Sequence, residues 1–114
     1  MIVEGVLQEA LDLYGSEFTA ADCAGFTHVE GGQIVAAGGV SLWRDGRLLA
    51  GLMGPCRPIY HRYAVRLLEA LAGAGVKEVW TWPEAGVPGA ELWLRRLGFE
   101  PQEEGLWRIC LQPH

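Results

Sequence analysis

The sequence has little positive charge, no long apolar run and no clustered cysteines. Nine Lys and Arg stand against fourteen Asp and Glu, giving a formal net charge of −5 over 114 residues. Nucleic-acid binding rests on a positive face, so no nucleic-acid partner is expected. No stretch reaches the roughly 18 uncharged apolar residues that a membrane-spanning helix needs, and no membrane partner is expected either. The opening MIVEGVLQEALD carries acids early and has no basic leader, so it does not read as a signal peptide. The expected location is the cytoplasm, or a particle packaged from it. Cys23, Cys56 and Cys110 form no CxxC pair, and His28, His61 and His114 are isolated. That spacing holds no zinc, so no metal is expected and the cysteines read as reduced thiols.

What is present is a globular composition, half apolar and a fifth charged, of a length that suits one domain over residues 1–114. Residues 2–14 place Ile2, Val3, Val6, Leu7, Ala10, Leu11 and Tyr14 at helical spacing, and Gly15 fits a stop. From Gly25 the period changes. FTHVE, the Gly31-Gly32 turn and QIVAAGGVSLW predict a hairpin, and Gly38-Gly39 inside its second strand predict a bulge or a close backbone approach. A turn over residues 44–47 with Asp-Gly at its centre leads to RLLAGLMG, a third strand. Pro58 suits the first turn of a helix that runs to about Gly73 or Gly75. A strand over 76–82, a helix over 87–97 and two strands over 99–103 and 106–112 complete the order. A meander followed by strand, helix and strand gives an α/β or α+β class with a mixed sheet.

Two stretches, RLLEALAGAGVKEVWTWPEAG and AELWLRRLGFEP, resemble the central helix with its following strand and the "A…Y-x-x-x-G-F" helix end of the GNAT superfamily of acetyl-CoA-dependent N-acyltransferases. The element order agrees from about Phe26 to Gln112. The resemblance implies a mainly antiparallel, mixed sheet of about six strands with helices on both faces. It also implies an acetyl-CoA site, with the pyrophosphate on free N–H groups at the start of the central helix.

The residues that the resemblance assigns to chemistry depart from the family pattern. In the (Gln/Arg)-x-x-Gly-x-(Gly/Ala) loop, Ile59 stands for Gln or Arg, Arg62 for the first Gly, and Ala64 alone fits. Arg57, His61 and Arg62 cluster at the helix start, and they either hold a phosphate through side chains or form a solvated basic end. The family's acid Tyr falls on Leu94, which cannot donate a proton, and its Asn on Val87. Tyr60 and Tyr63 lie on the other helix. Glu30 and Glu84 are the first candidates for a general base, Glu84 because it follows a strand and precedes a helix. The family's opening strand has no counterpart in this reading, which leaves a sheet edge for a protein partner or a second copy. Trp80 and Trp82 alternate with Thr81 and fill either a helix-on-sheet core or an interface.

The expected function is therefore a GNAT-like domain that has lost acetyl transfer and serves as a structural, assembly or binding module. No cofactor is then expected. Small degenerate relatives of the family occur among phage and virion-associated proteins, so the resemblance also allows a virion setting. The alternative is an active acetyl-CoA-dependent N-acetyltransferase with an atypical cofactor loop.

Overall fold

Residues 23–53 set the frame, because a two-glycine turn and a run of small β-formers let the chain double back on itself twice. Strands β2 (Cys23–Glu30), β3 (Gln33–Leu42) and β4 (Leu48–Met53) pair antiparallel in sequence order. The computed structural model describes residues 1–43, 45–84 and 86–111. Arg44 of the expected Asp-Gly turn, Gln112 at the expected end of the last strand, and His114 lie outside them. Beyond β4, a 3-10 turn at Pro58–Tyr60 leads into helix α2 (His61–Gly73). Strand β5 (Glu78–Thr81), helix α3 (Ala90–Leu97), β6 (Glu100–Pro101) and β7 (Trp107–Cys110) follow. With β1 (Ile2–Glu4), the strands form one sheet of order β1-β2-β3-β4-β5-β7-β6, antiparallel except between β4 and β5.

The start of the chain corrects the helical reading of residues 2–14. Ile2–Glu4 is strand β1, paired with Phe26–His28 of β2, and only Gln8–Leu13 forms helix α1. The break falls at Gly5, whose φ of +92° no helix accommodates. The buried Thr27 hydroxyl fixes that break from below: it accepts the Leu7 N–H at 3.0 Å and donates to the Gly5 carbonyl at 2.8 Å. The opening strand is thus present, and the edge of β2 that the sequence left open carries β1. The sheet ends instead at β1 and β6, of three and two residues.

Gly39 answers the question posed by the paired glycines. It pairs with Gly25 on β2 and with Gly51 on β4. A Cβ on Gly39 would stand 2.1 Å from the Ala24 carbonyl oxygen, and one on Gly25 would stand 1.9 Å from that of Gly38. The strands approach too closely there for any side chain. The bulge lies elsewhere, at His28/Val29.

Neighbouring residues of a strand face opposite sides, and β3 shows which helix covers which. Ala37 packs with Ala10 and Leu11 of α1. On the other face Ala36 packs with Tyr60, and Val40 with Val79, Phe99 and Trp107 beneath Leu67, Leu68 and Leu71 of α2 and Leu94 and Leu97 of α3. Trp107 is core. Trp80 is half-buried on the opposite face, with the Arg47 and Arg108 guanidinium groups 4.6 and 5.4 Å from its ring centroid. Of the two alternatives for Trp80, helix-on-sheet core does not hold: two guanidinium groups, not helix side chains, lie over its ring.

Candidate functional site

The parallel pair β4–β5 is a fork. It is registered at the single pair Leu49↔Trp80, and the Thr81 hydroxyl closes its base by donating to the Ala50 carbonyl at 2.9 Å. Above that point β5 gives way to Trp82 and Pro83, and β4 runs on through Gly51–Met53 with no strand beside it on that side among the described residues. A cleft of about 460 Å³ occupies the gap, within the range of roughly 300–1,000 Å³ typical of small-molecule sites. Its walls come from both faces of the sheet. Leu11 and Tyr14 of the α1 side and Phe18 form one flank; Ala64, Leu67 and Leu68 of α2 with Trp93, Leu94 and Leu97 of α3 form the other; Gly39 and Gly51 line its floor.

The polar groups of the cleft are few. Tyr14 donates its hydroxyl to the Val35 carbonyl at 3.0 Å. Ser16, Ser41, Cys23, Cys56, Glu84 and the Thr81 hydroxyl already bound to Ala50 also line it. Burial pushes the Cys56 thiol above its ordinary pKa of 9.0, and burial together with the nearby Asp22 charge does the same to Cys23. Both are therefore neutral thiols at pH 7 and poor nucleophiles. Among the described residues no three His, Cys, Asp or Glu side chains stand together to hold a metal ion.

The sequence-predicted residues separate into two groups. Ala64 and Glu84 line the cleft, as do Leu94 and Val87 at the positions matched to the family's Tyr and Asn. Arg57, His61 and Arg62 do not line it; each is engaged elsewhere. Arg57 reaches Glu30, with Nη1 3.5 Å from Oε1. His61 accepts the Trp93 indole N–H at Nδ1, 3.0 Å away, which ties α3 to the start of α2. Arg62 lies over the ring of its neighbour Tyr63 and donates to its hydroxyl at 3.3 Å.

Glu30 and Tyr60, candidates on separate elements, meet through a residue that sequence reasoning left isolated. The Tyr60 hydroxyl lies 2.7 Å from His28 Nδ1, and His28 Nε2 lies 3.1 Å from Glu30 Oε1. An ionised carboxylate has no proton to give, so Nε2 carries one, and a neutral His28 accepts the Tyr60 O–H at Nδ1. Tyr60 is fully buried, and burial raises its pKa above 10.0, Arg57 opposing and Glu30 and Tyr14 adding to the rise. This chain of four groups, Tyr60–His28–Glu30–Arg57, pins the start of α2 to β2, away from the cleft. Tyr14 and Cys56 are the cleft residues that sequence reasoning missed. Tyr14 read as part of a helical apolar face, and Cys56 carried no signal beyond its place in the break between Pro55 and Pro58.

The strand order, the fork between β4 and β5 and the helix start beside it are those of a GNAT-like fold. Among solved structures the chain is similar to the ribosomal-protein-S18-alanine N-acetyltransferase from Escherichia coli, with a TM-score of 0.62 and 15% identity over 98% of this chain and 95% of that one. It is also similar to the putative N-acetyl transferase YhhK from E. coli, solved bound to coenzyme A, with a TM-score of 0.51 and 21% identity over 96% of this chain and 97% of that one. At these identities the likeness establishes the architecture, and function rests on the site. No family model and no curated protein matches the sequence.

Proposed function

We propose that the chain is a GNAT-fold binding module that has lost acetyl transfer and keeps the fork as a ligand cleft. Leu94 carries this reading. The α3 position matched to the family's proton donor is an apolar wall of the cleft, packed with Val40 and Phe99, and a departing thiolate finds no acid there. The engagement of Arg57, His61 and Arg62 with Glu30, Trp93 and Tyr63 supports it further, because those side chains are not presented to an anion in the cleft. The open side of Gly51–Met53 suits an extended, amide-bearing ligand that adds to β4 as a strand would. YhhK was solved with coenzyme A, so an acyl-CoA is the ligand to try first.

A second reading, slow acetyl transfer, is favoured by one observation: the Tyr14 hydroxyl stands in the cleft wall at the end of β4, 3.0 Å from where a Cβ on Gly54 would lie. One experiment separates the two. Acetyl-CoA is titrated against the melting temperature, and coenzyme A thiol release is followed with a panel of primary amines. A ligand at 100 times its dissociation constant adds about 2.7 kcal/mol of stability. Binding without thiol release above the protein-free rate is the expected result. Thiol release that wild type supports and Tyr14→Phe abolishes would overturn the binding-module reading and establish the second.

A further inference from the structure

Helix α3 is joined to the start of α2 by a single polar contact between side chains. Its N-cap, Gly89, has a φ of +77° and makes no side-chain capping hydrogen bond. In the first turn that follows, the Trp93 indole N–H reaches His61 Nδ1 at 3.0 Å in partly buried surroundings. Among the described residues no other side-chain hydrogen bond or ion pair links the two helices. Further along, Leu94 and Leu97 share a core cluster with Leu67, Leu68 and Leu71 of α2. Trp93, Leu94 and Leu97 also line the cleft, so the contact bears on the position of one cleft wall. An indole N–H can only donate. His61 Nδ1 therefore carries no proton, and the neutral ring holds its proton on Nε2.

We propose that His61 and Trp93 form a pH-sensitive latch: protonation of His61 releases the indole and loosens the α3 wall of the cleft. An imidazolium carries a proton on both ring nitrogens and accepts nothing, so the indole N–H loses its partner. The groups around His61 offer the charged ring no new one. On α2 and the turn before it, Arg57 pairs with Glu30, Tyr60 bonds His28, Arg62 and Arg66 lie over the Tyr63 ring, and Glu69 is exposed further along. On β2, His28 and Glu30 bond each other and the Cys23 thiol is neutral. On α3, Arg95 lies over Trp107, and Glu91 and Arg96 are exposed. Strand β3 carries no titratable group. Among the described residues no carboxylate oxygen lies within 4.0 Å of a His61 ring nitrogen. A charged His61 would also join Arg57 and Arg62 at a helix N-terminus, where the helix dipole disfavours a cation. That the latch tunes a ligand rests on the binding reading above; the latch itself does not.

The test is a pH titration of the full chain by NMR, with nitrogen-15 in the tryptophan indoles and the backbone. Trp93→Phe assigns the Trp93 indole signal. The Trp80 indole, which donates to Glu78 Oε1 at 3.2 Å, is the internal reference. Between about pH 8 and about pH 5 the Trp93 signal is expected to move in step with the His61 ring carbons, and the Leu94 and Leu97 amide signals to follow the same curve. His61→Asn supplies an amide oxygen that accepts a hydrogen bond and does not titrate, so its Trp93 signal is expected to stay flat. At about pH 5 the Trp93 indole N–H should exchange with solvent about tenfold faster in wild type than in His61→Asn, and at about pH 8 within about twofold. Comparison at one pH removes the pH dependence of exchange itself. A His61 ring that stays uncharged down to about pH 5 would overturn the proposal. So would a Trp93 signal that stays still while His61 titrates, that follows the His28 ring carbons instead, or that moves equally in His61→Asn. A response confined to the indole, with Leu94 and Leu97 unmoved, would overturn the link to the cleft wall. The wild-type titration decides the matter even where His61→Asn folds poorly. No ligand enters the test, so the latch and the binding reading stand or fall separately.

Discussion

Thr27→Val isolates the junction on which the first 13 residues turn. The two side chains have nearly the same shape, and Thr27 is fully buried, so the substitution leaves no cavity and removes one hydroxyl. That hydroxyl makes two hydrogen bonds, from the Leu7 N–H and to the Gly5 carbonyl, both in partly buried surroundings. A buried polar group left without its partner costs about 1–3 kcal/mol. The junction is partly open to water, which puts each bond at the low end and the pair at about 2–3 kcal/mol. For a chain of this length the melting temperature should then fall by about 8–12 °C. Urea unfolding followed by circular dichroism should show a lower midpoint with an unchanged slope, and hydrogen exchange should show the Leu7 amide losing protection. Thr27→Ser keeps both bonds, gives up one methyl group and should cost about 1 kcal/mol. If Val is no more destabilising than Ser, the hydroxyl does not hold the junction, and β1 and α1 are fixed by their apolar contacts alone.

Two further predictions concern the sheet and the buried tyrosine. Gly39→Ala forces a Cβ to 2.1 Å from the Ala24 carbonyl oxygen, backbone that cannot step aside, and should destabilise by about 3 kcal/mol in urea titration; an effect below about 1 kcal/mol would mean that the strands part easily there. Burial raises the folded-state pKa of Tyr60 above its ordinary 10.0, so the folded protein holds the phenol proton more tightly than the unfolded chain. The resulting stabilisation is intact below that ordinary value and is lost as pH rises through the folded-state pKa. Cys23 and Cys56, raised from 9.0, begin the decline earlier. Urea midpoints measured from about pH 8 to about pH 11 should fall for wild type, and Tyr60→Phe should flatten the upper part of that fall while leaving the cysteine part. An unchanged slope in Tyr60→Phe would show that Tyr60 does not contribute.

Local chemistry made most of the elements legible. The Gly31-Gly32 turn, the leucine pattern of α2 and the passage from Gly98 to Phe99 each act within a few residues, and the hairpin, α2 and α3 lie near their expected bounds. What escaped was non-local. The spacing of Val3, Leu7 and Leu11 fits a helix, yet the pairing of Ile2 with His28 made a strand of its first turn. The basic residues at the start of α2 looked like one cluster because they are neighbours in sequence, but their partners lie elsewhere: Glu30 on the hairpin for Arg57 and Trp93 on α3 for His61. The cleft lay further from view, since it depends on where two strands stop pairing. Leu94 could be read in register from the sequence, and its place in the cleft wall gives that register a physical meaning.

Gly25, Gly39 and Gly51 form a row across three strands, and the row is not uniform. Gly25 and Gly39 are closed to any substituent, whereas a Cβ on Gly51 would meet nothing within 4 Å and would project into the cleft. One missing side chain therefore leaves that part of the fork open, at a position where adding a Cβ meets no neighbouring atom. Alanine, valine and leucine at residue 51 would make a graded set of stops, shortening the accepted ligand step by step in a scaffold that is otherwise the same. Variation at that codon would change the shape of the fork without renegotiating how the sheet folds.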